Sequence, residues 1–397
     1  MPSSKPRNSV VFRVRGITVK DGHRDDAQLR SALSEAIISR FEGNERSALA
    51  VTVTVVPSCY GSTGRNKICL VDCRGGVPSF LRPTFEDPEH PKFQMEMGGD
   101  DVTFDCHFFN LTQLSDPTIP ITADVIAITG LDGHAYGSWR GKGDLSRMWL
   151  RDFLPEDFPK CRILTYGYNW KLTGRSRGLH GLIDYERDFL EEIKHVRVTE
   201  EEIHRPLFFI AHSFGGIVLS HSLTRAKRSA DARDNDIFAA TCGIFFFSTP
   251  HKGLPVEDIR KLIFNDPQHP RHGLLDQLKQ DSEPLLAQLA DLKNIIHDRK
   301  IVSFYEEEQT RQLELNRDGG HWERAGGFST AVGIDSALLH LPDHMEEKIP
   351  LSADHSLMVK FDSRDSKGYR VIVNRLKKFE KEAAQMANAR FGLSSEI

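Results

Sequence analysis

The chain has 397 residues, with 52 lysines and arginines against 56 aspartates and glutamates, and a formal net charge of −4. Charges of both signs occur throughout, so no basic stripe indicates nucleic-acid binding. The six cysteines include no Cys-x-x-Cys pair with downstream partners, which argues against a zinc site. We therefore expect buried free thiols, and reduced thiols favour an intracellular, cytoplasmic location.

The beginning of the chain carries no apolar segment of the kind found in a signal peptide, so we predict no such leader. The longest apolar runs are too short to span a bilayer. These two observations predict no transmembrane segment, and any membrane contact would be peripheral. Oligomeric state does not follow from the sequence.

The first part of the chain predicts a βαββ run, with a further strand after a long Pro/Gly/acidic loop at 75–101. Residues 1–115 are thus predicted to form an N-terminal α+β accessory domain, and a ferredoxin-like arrangement is one candidate for it. The predicted strands are 10–17, 49–57, 67–73 and 102–108, and the helix is 25–41.

Residues 116–397 alternate between strand and helix patterns, which is typical of a doubly wound, mostly parallel sheet. We predict an α/β-hydrolase domain with a C-terminal helix here. The predicted strands are 124–129, 162–166, 207–211, 242–248 and 301–305, and the helices are 145–153, 179–194, 216–226, 274–296 and 369–387.

The segment 206–219 has the pattern of a nucleophile elbow. Five apolar residues, 207–211, predict a buried parallel strand, and Ser213 follows at a sharp turn before an apolar helix. Small residues are needed two before and two after the serine, because strand and helix pass close together there. Gly215 satisfies the second position, and Ala211 replaces the usual glycine at the first. A helix-capping serine is the alternative interpretation.

A serine nucleophile requires a base, and in this architecture the chain order is serine, acid, histidine. His355 lies beyond a short predicted strand and before the last helix, where the base is expected. His251 comes too early for the base and is interpreted as pocket wall. The loop histidines His321, His340 and His344 are interpreted as solvated.

The acid is expected where strand 301–305 ends. Glu306 is the first residue beyond that strand and is our candidate for the acid that orients His355. Asp335 is the alternative, and Asp354 is a weaker one. An acidic surface cluster is the interpretation without function.

An oxyanion hole needs two backbone N–H groups that point at the developing negative charge. One is expected from Phe214, directly after the nucleophile. The other is expected from Leu131, in the glycine-rich turn that follows strand 124–129, where Gly130 allows close approach. The glycine spacing fits no dinucleotide or P-loop pattern. Hydrolysis by a serine triad needs no metal or organic cofactor, so we expect neither.

Several segments together resemble α/β-hydrolases of the DUF676 lipase-like group. The resemblance is nearest to the serine-active-site-containing proteins and to fungal hydrolases of NACHT-type proteins, and it covers about residues 120–375. The segments that carry it are TGLDGHAYGSW (129–139), WLRDFLP (149–155), RILTYGY (162–168), AHSFGG (211–216), FSTPHKG (247–253), SFYE (303–306) and ADH (353–355).

The resemblance implies a serine esterase or lipase with nucleophile Ser213, base His355 and acid Glu306, acting on a small-molecule or lipid acyl ester. It also implies a mitochondrial or endoplasmic-reticulum membrane association as the alternative location. Two departures from the family pattern, Thr129 in place of histidine and Ala211 in place of glycine, motivate a second hypothesis. In that hypothesis the chain is a weak or inactive hydrolase-like signalling or interaction module.

The sequence leaves the acyl substrate open. The leucine-rich segment between Leu254 and Arg299 could form a lid over an apolar pocket, and an ordinary packed pair of helices is an equal alternative.

Overall fold

The computed structural model describes residues 9–19, 25–61, 66–86, 92–131, 133–169, 181–261, 266, 268–269, 271–312, 314–316, 321–323 and 325–393. The chain divides into two compact units. One comprises Met1–Phe108 and Thr112–Asp116, and the other comprises Phe109–Leu111 and Pro117–Ile397. That residues 1–115 fold as a separate accessory domain stays a prediction.

The first unit is a five-stranded antiparallel sheet in the order β2-β3-β1-β5-β4. Leu29, Leu33 and Ile37, four residues apart on helix α1, are buried in the same core as the sheet residues, because this spacing places them on one helical face. The elements are β1 (Ser9–Thr18), α1 (Asp26–Ile38), α2 (Glu45–Ala48), β2 (Ala50–Pro57), β3 (Asn66–Arg74), α3 (Arg82–Glu86), β4 (Gln94–Met97) and β5 (Asp100–Asp105).

The order β2-β3-β1-β5, with α1 crossing from β1 to β2, is that of a ferredoxin-like sheet, to which β4 adds a fifth strand. The prediction of a continuous loop over 75–101 was wrong, because β4 forms a hairpin with β5. Gly98 and Gly99 both adopt positive φ, 63° and 87°, as a tight hairpin turn requires. Met95 and Met97 alternate inward and are buried.

The second unit is built on a seven-stranded sheet in the order β16-β11-β10-β9-β7-β8-β6. The strands from β16 to β8 pair in parallel. Its elements are β6 (Asn110–Gln113), β7 (Ala123–Ile128), α4 (Trp149–Asp152), α5 (Leu154–Asp157), β8 (Cys161–Gly167), α6 (Leu182–Val196), α7 (Glu200–His204), β9 (Leu207–His212), α8 (Phe214–Arg228), α9 (Ala232–Ala240), β10 (Thr241–Phe247), α10 (Glu257–Arg260), α11 (His272–Gln277), α12 (Glu283–Ile295), β11 (Lys300–Glu306), β12 (Thr310–Arg311), β13 (Glu314–Asn316), β14 (His321–Glu323), β15 (Phe328–Ser329), α13 (Ile334–Ala337), β16 (Glu346–Leu351) and α14 (Lys367–Phe391).

Helices cover both faces of this sheet. Phe245 and Phe246 are adjacent in β10 and therefore point to opposite faces. Phe245 packs on Phe379 of α14. The strand register aligns Phe246 of β10 with Tyr166 of β8, so both side chains lie on the other face of the sheet. On that face Tyr166 packs on Phe189 of α6. A mostly parallel sheet covered on both faces, with a strand–serine–helix turn at β9, is the α/β-hydrolase fold, as predicted.

Two segments that were each predicted as one helix form two shorter helices in the structure. The helix predicted at 145–153 is replaced by α4 and α5. The helix predicted at 274–296 is interrupted at Asp281, which has φ 57°, and α12 then begins with Pro284 in its first turn. Helix α12 packs on α8, where Gln288 donates to Thr224 Oγ1 at 2.9 Å. Helix α12 thus has the packed arrangement, and a lid formed by the segment 254–299 stays a prediction.

Candidate active site

Ser213 occupies the turn between β9 and α8 in a strained backbone conformation, with φ 53° and ψ −126°. A non-glycine residue adopts such angles only when its surroundings enforce them. Here the Ser213 N–H donates to the Phe247 carbonyl at 2.9 Å, and its own carbonyl accepts from Gly216 N at 2.9 Å. The turn presents the serine hydroxyl beyond the carboxyl end of the sheet.

Close packing around this turn admits only small residues. A Cβ on Gly215 would lie 2.4 Å from the Thr129 carbonyl oxygen, and a Cβ on Gly130 would lie 2.8 Å from Ser213 Cβ. Ala211 is fully buried in β9, in register with Ile128 of β7. The strand–turn–helix prediction for this segment is therefore confirmed, and alanine fits at its first small position.

The three residues predicted as a triad lie next to one another at the ends of β9, β11 and β16. Ser213 Oγ and His355 Nε2 are 2.9 Å apart, which is hydrogen-bond distance. His355 Nδ1 lies 3.9 Å from Glu306 Oε2, on the opposite side of the imidazole ring. Hydrogen bonds between catalytic groups are often long in a free enzyme and shorten when substrate is bound. The three side chains follow one another in the order predicted for a nucleophile, a base and an acid.

Glu306 is buried, with its side chain 1% exposed. Its Oε1 accepts a hydrogen bond from Val332 N at 2.6 Å. The pKa of Glu306 is raised to about 7, chiefly by burial and to a smaller extent by the nearby Asp354 carboxylate, while the hydrogen bond from Val332 N opposes both. A positive charge on His355 would lower this pKa and favour the ionised form of the Glu306 carboxyl.

The alternative acids lie elsewhere. Asp335 has a 74% exposed side chain that pairs with Lys252 at 2.8 Å and with His340 at 3.0 Å. Asp354 accepts from Ser356 N and Leu357 N, so its carboxylate caps the turn that follows the base. Neither arrangement places the carboxylate on the imidazole of His355.

The other histidines take different positions. Burial lowers the pKa of His251 to about 3, and its ring lies edge-on to Phe246 at 4.8 Å. His340 and His344 are exposed, and His321 belongs to β14.

Sequence reasoning missed two residues that hold His355, the predicted base. The backbone N–H of His355 donates to Thr310 Oγ1 at 3.2 Å, and the backbone carbonyl of His355 lies 2.9 Å from His212 Nε2. Burial lowers the pKa of His212 to about 4, so it is neutral at physiological pH and Nε2–H is the donor. The available signal was a single polar residue at the end of an otherwise apolar strand.

The glycine-rich loop after β7 lies beside the nucleophile and is braced by polar contacts. Thr129 Oγ1 donates to Ser138 Oγ at 2.8 Å, and the Thr129 carbonyl accepts from Tyr168 OH at 2.7 Å. The backbone N–H of Leu131 makes no hydrogen bond to another described residue, and Leu131 is partly buried. Thr129, where the resembling family often has histidine, is thus integrated into the loop by its own hydrogen bonds.

All six cysteines are buried thiols, and burial raises the pKa of Cys69 and Cys73 to about 12. Within the described ranges no group of three or more histidine, cysteine, aspartate or glutamate side chains could hold a metal ion. None of the helices in the described part of the chain is both long and apolar enough to cross a membrane.

The chain is similar to curated proteins named Protein SERAC1. The protein from Danio rerio is 28% identical over 213 residues, which are 47% of this chain and 30% of that protein. The protein from Bos taurus is 26% identical over 274 residues, 62% of this chain and 37% of that protein. The chain therefore spans well under half the length of these relatives. No family model matches the chain, so the DUF676 and fungal assignments stay predictions.

Solved structures of lipolytic enzymes resemble the chain in fold. Phospholipase PlaB from Legionella pneumophila is 12% identical, with a TM-score of 0.47, over 69% of this chain and 64% of that chain. Bacillus licheniformis lipase BlEst2 in its mature form is 12% identical, with a TM-score of 0.40, over 68% of this chain and 97% of that chain.

Proposed function

We propose that this protein is a serine hydrolase that cleaves a carboxylic ester through Ser213, His355 and Glu306. The observation that carries the proposal is the 2.9 Å contact between Ser213 Oγ and His355 Nε2, made by a serine in a strained strand–helix turn. The strain is informative because a helix-capping serine needs no positive φ. A buried carboxyl on the far side of the same imidazole supplies the acid.

In the first half-reaction Ser213 Oγ attacks the ester carbonyl carbon while His355 Nε2 takes the hydroxyl proton. The tetrahedral intermediate then expels the alcohol, which leaves with the proton from His355, and the acyl group stays on Ser213. Water gives its proton to His355 and attacks the acyl-enzyme, and the carboxylic acid departs as Ser213 regains its proton. Glu306 stabilises the imidazolium in both halves.

The oxyanion would be held by the backbone N–H groups of Phe214 and Leu131. Phe214 is the first residue of α8, a 15-residue helix whose positive end lies beside the nucleophile. Gly130 lies against Ser213, which keeps the neighbouring Leu131 close to the reacting carbon. Backbone donors fixed in advance are worth several kcal/mol to such a transition state, on the order of 3 kcal/mol for one donor.

Labelling with a fluorophosphonate probe tests this proposal. We expect the wild-type protein to be labelled and Ser213→Ala to be unlabelled, with turnover of p-nitrophenyl esters lost in the same variant. A folded wild-type protein that neither reacts with the probe nor hydrolyses any ester in a series from acetate to palmitate would contradict it. That result would favour the interaction-module hypothesis instead.

The acyl chain and the alcohol are open within this proposal, and lipid esters at a membrane surface are one class to test. The same ester series identifies the preferred chain length. Product analysis with added alcohols separates hydrolysis from acyl transfer, because transfer yields a new ester instead of the free acid.

A further inference from the structure

We propose that His212 is a positioning residue, which holds the backbone of the base His355 by a hydrogen bond from its imidazole; this inference rests on the proposed function. His212 immediately precedes the nucleophile at the end of β9. Its Nε2 lies 2.9 Å from the His355 carbonyl oxygen, 143 residues further along the chain. One side chain thus connects the strand that carries the nucleophile to the loop that carries the base.

The bond joins a buried side chain to a partly buried loop residue. His212 is 8% exposed, and its ring centroid lies 4.9 Å from that of His355. Without this donor the partly buried His355 carbonyl would need another partner, so loss of the bond would favour movement of the loop toward water. Because the imidazole of His355 is attached to the same backbone, such movement would change its distance to Ser213 Oγ.

His212 also contacts the oxyanion loop. Its Nδ1 would lie 3.1 Å from a Cβ on Gly130, so the ring fills the space beside the glycine that approaches Ser213. The residue that precedes the nucleophile therefore contacts both the base and the oxyanion loop through its imidazole. This arrangement explains why an apolar strand ends in a polar residue: the strand is buried on both faces, but its last residue must donate to another loop.

A neutral ring is required at this position. During the reaction His355 becomes positively charged, and a second positive charge at 4.9 Å would oppose that step. Besides burial, the nearby Lys360 charge lowers the pKa of His212, and the hydrogen bond to the His355 backbone carbonyl raises it. Burial keeps His212 neutral, so it donates a hydrogen bond without adding charge.

Thr310 secures the other side of the same residue. The His355 N–H donates to Thr310 Oγ1 at 3.2 Å, and Thr310 belongs to the segment that follows the acid Glu306. The backbone N–H of His355 is therefore held by Thr310, from the segment after Glu306. Its backbone carbonyl is held by His212, from the strand that leads to Ser213.

Two substitutions separate the hydrogen bond from the packing of the ring. Gln at position 212 places an N–H₂ donor the same number of bonds from Cβ as His Nε2, and Leu fills a similar volume without a donor. We expect His212→Leu to lower kcat by about 10²-fold with KM little changed, because a displaced base slows chemistry more than binding. We expect His212→Gln to recover most of that loss.

Chemical denaturation of both variants shows whether they are folded. Equal kcat values in His212→Leu and wild type would overturn the inference, and so would a Gln variant as impaired as the Leu variant. A second measurement does not depend on turnover: ¹⁵N NMR of the imidazole nitrogens, with the His355 signals assigned from His355→Ala. We expect the His355 signals to shift in the Leu variant and to stay close to wild type in the Gln variant.

The failure of this inference is distinguishable from failure of the proposed function. If the wild type hydrolyses no ester and resists the fluorophosphonate, the proposed function fails, and the NMR comparison alone decides the role of His212. Unchanged His355 signals in the Leu variant would then overturn it.

Discussion

The carboxyl group of Glu306 lies closer to the backbone of Val332 than to the imidazole of His355. Oε1 is 2.6 Å from Val332 N, whereas Oε2 is 3.9 Å from His355 Nδ1. The backbone bond fixes the carboxyl group in place, and the longer distance leaves room for the pair to close when His355 gains a proton.

Replacement of the acid should reduce activity strongly, whereas replacement of the alternative acid should not. We expect Glu306→Gln to lower kcat by on the order of 10³-fold, because the imidazolium loses its counter-charge and its orientation. Asp335→Asn is the matched control, since the Asp335 side chain is exposed and pairs with Lys252. Ester turnover of the two purified variants checks this. Comparable losses in both would contradict the assignment of Glu306.

The same substitution should make stability less dependent on pH. The pKa of Glu306 is raised from 4.5 to about 7 in the folded protein, chiefly by burial, so the folded state holds a proton that the unfolded chain has released. Its contribution is fully present below pH 4.5 and is lost as the pH rises through 7. From pH 5 to 8, we expect wild type to lose on the order of 2 kcal/mol more unfolding free energy than Glu306→Gln. Urea unfolding measures this, and a pH-independent difference would refute it.

A methyl group on the oxyanion loop should disturb the nucleophile. In Gly130→Ala the new Cβ would lie 2.8 Å from Ser213 Cβ and 3.1 Å from His212 Nδ1, so loop or serine must move. We expect kcat to fall by about 10²-fold, since displacement of an oxyanion donor has this effect. Gly333→Ala is the control, because nothing lies within 4 Å of its added Cβ. Equal turnover in the two variants would disprove the close approach.

A buried ion-pair network around Asp124 should stabilise the end of the sheet opposite Ser213. Asp124 is fully buried at the beginning of β7 and pairs with Arg162 at 2.8 Å, Arg205 at 3.3 Å and Arg197. Burial raises the pKa of Asp124, but the three arginines outweigh it and hold this pKa below its usual range. Asp124→Asn should cost about 3–5 kcal/mol, because it leaves buried guanidinium groups without their counter-charge.

The control for that substitution is Asp291→Asn, which breaks the exposed pair with Arg228. Surface pairs contribute little, so we expect its urea midpoint to match that of wild type. Both variants should retain ester turnover while folded, since Asp124 lies at the end of the sheet opposite Ser213, and Asp291 pairs with Arg228 at the end of α8 farthest from Ser213. A midpoint for Asp124→Asn equal to that of the control would count against the buried network.

The sequence predicted the sheet of the second unit well because its strands are continuous apolar runs. Residues 207–211 in particular are buried on both faces, which is the pattern of a parallel strand covered by helices. Prediction failed where a short element depends on its neighbour. β4 has four residues and exists because it pairs with β5, and α12 begins where Asp281 and Pro284 interrupt a leucine pattern that is otherwise continuous.

The position of Ser213 was determined by the sequence alone, because a buried strand, a small-residue turn and an apolar helix are contiguous in the chain and fix the local backbone. The sequence placed His355 by chain order and left the acid open among Glu306, Asp335 and Asp354. Only the tertiary structure brings Glu306 to His355 and turns Asp335 outward, and only it joins His212 to the base. These contacts link residues that are far apart in the chain, and they depend on which strands lie side by side, which local periodicity does not encode.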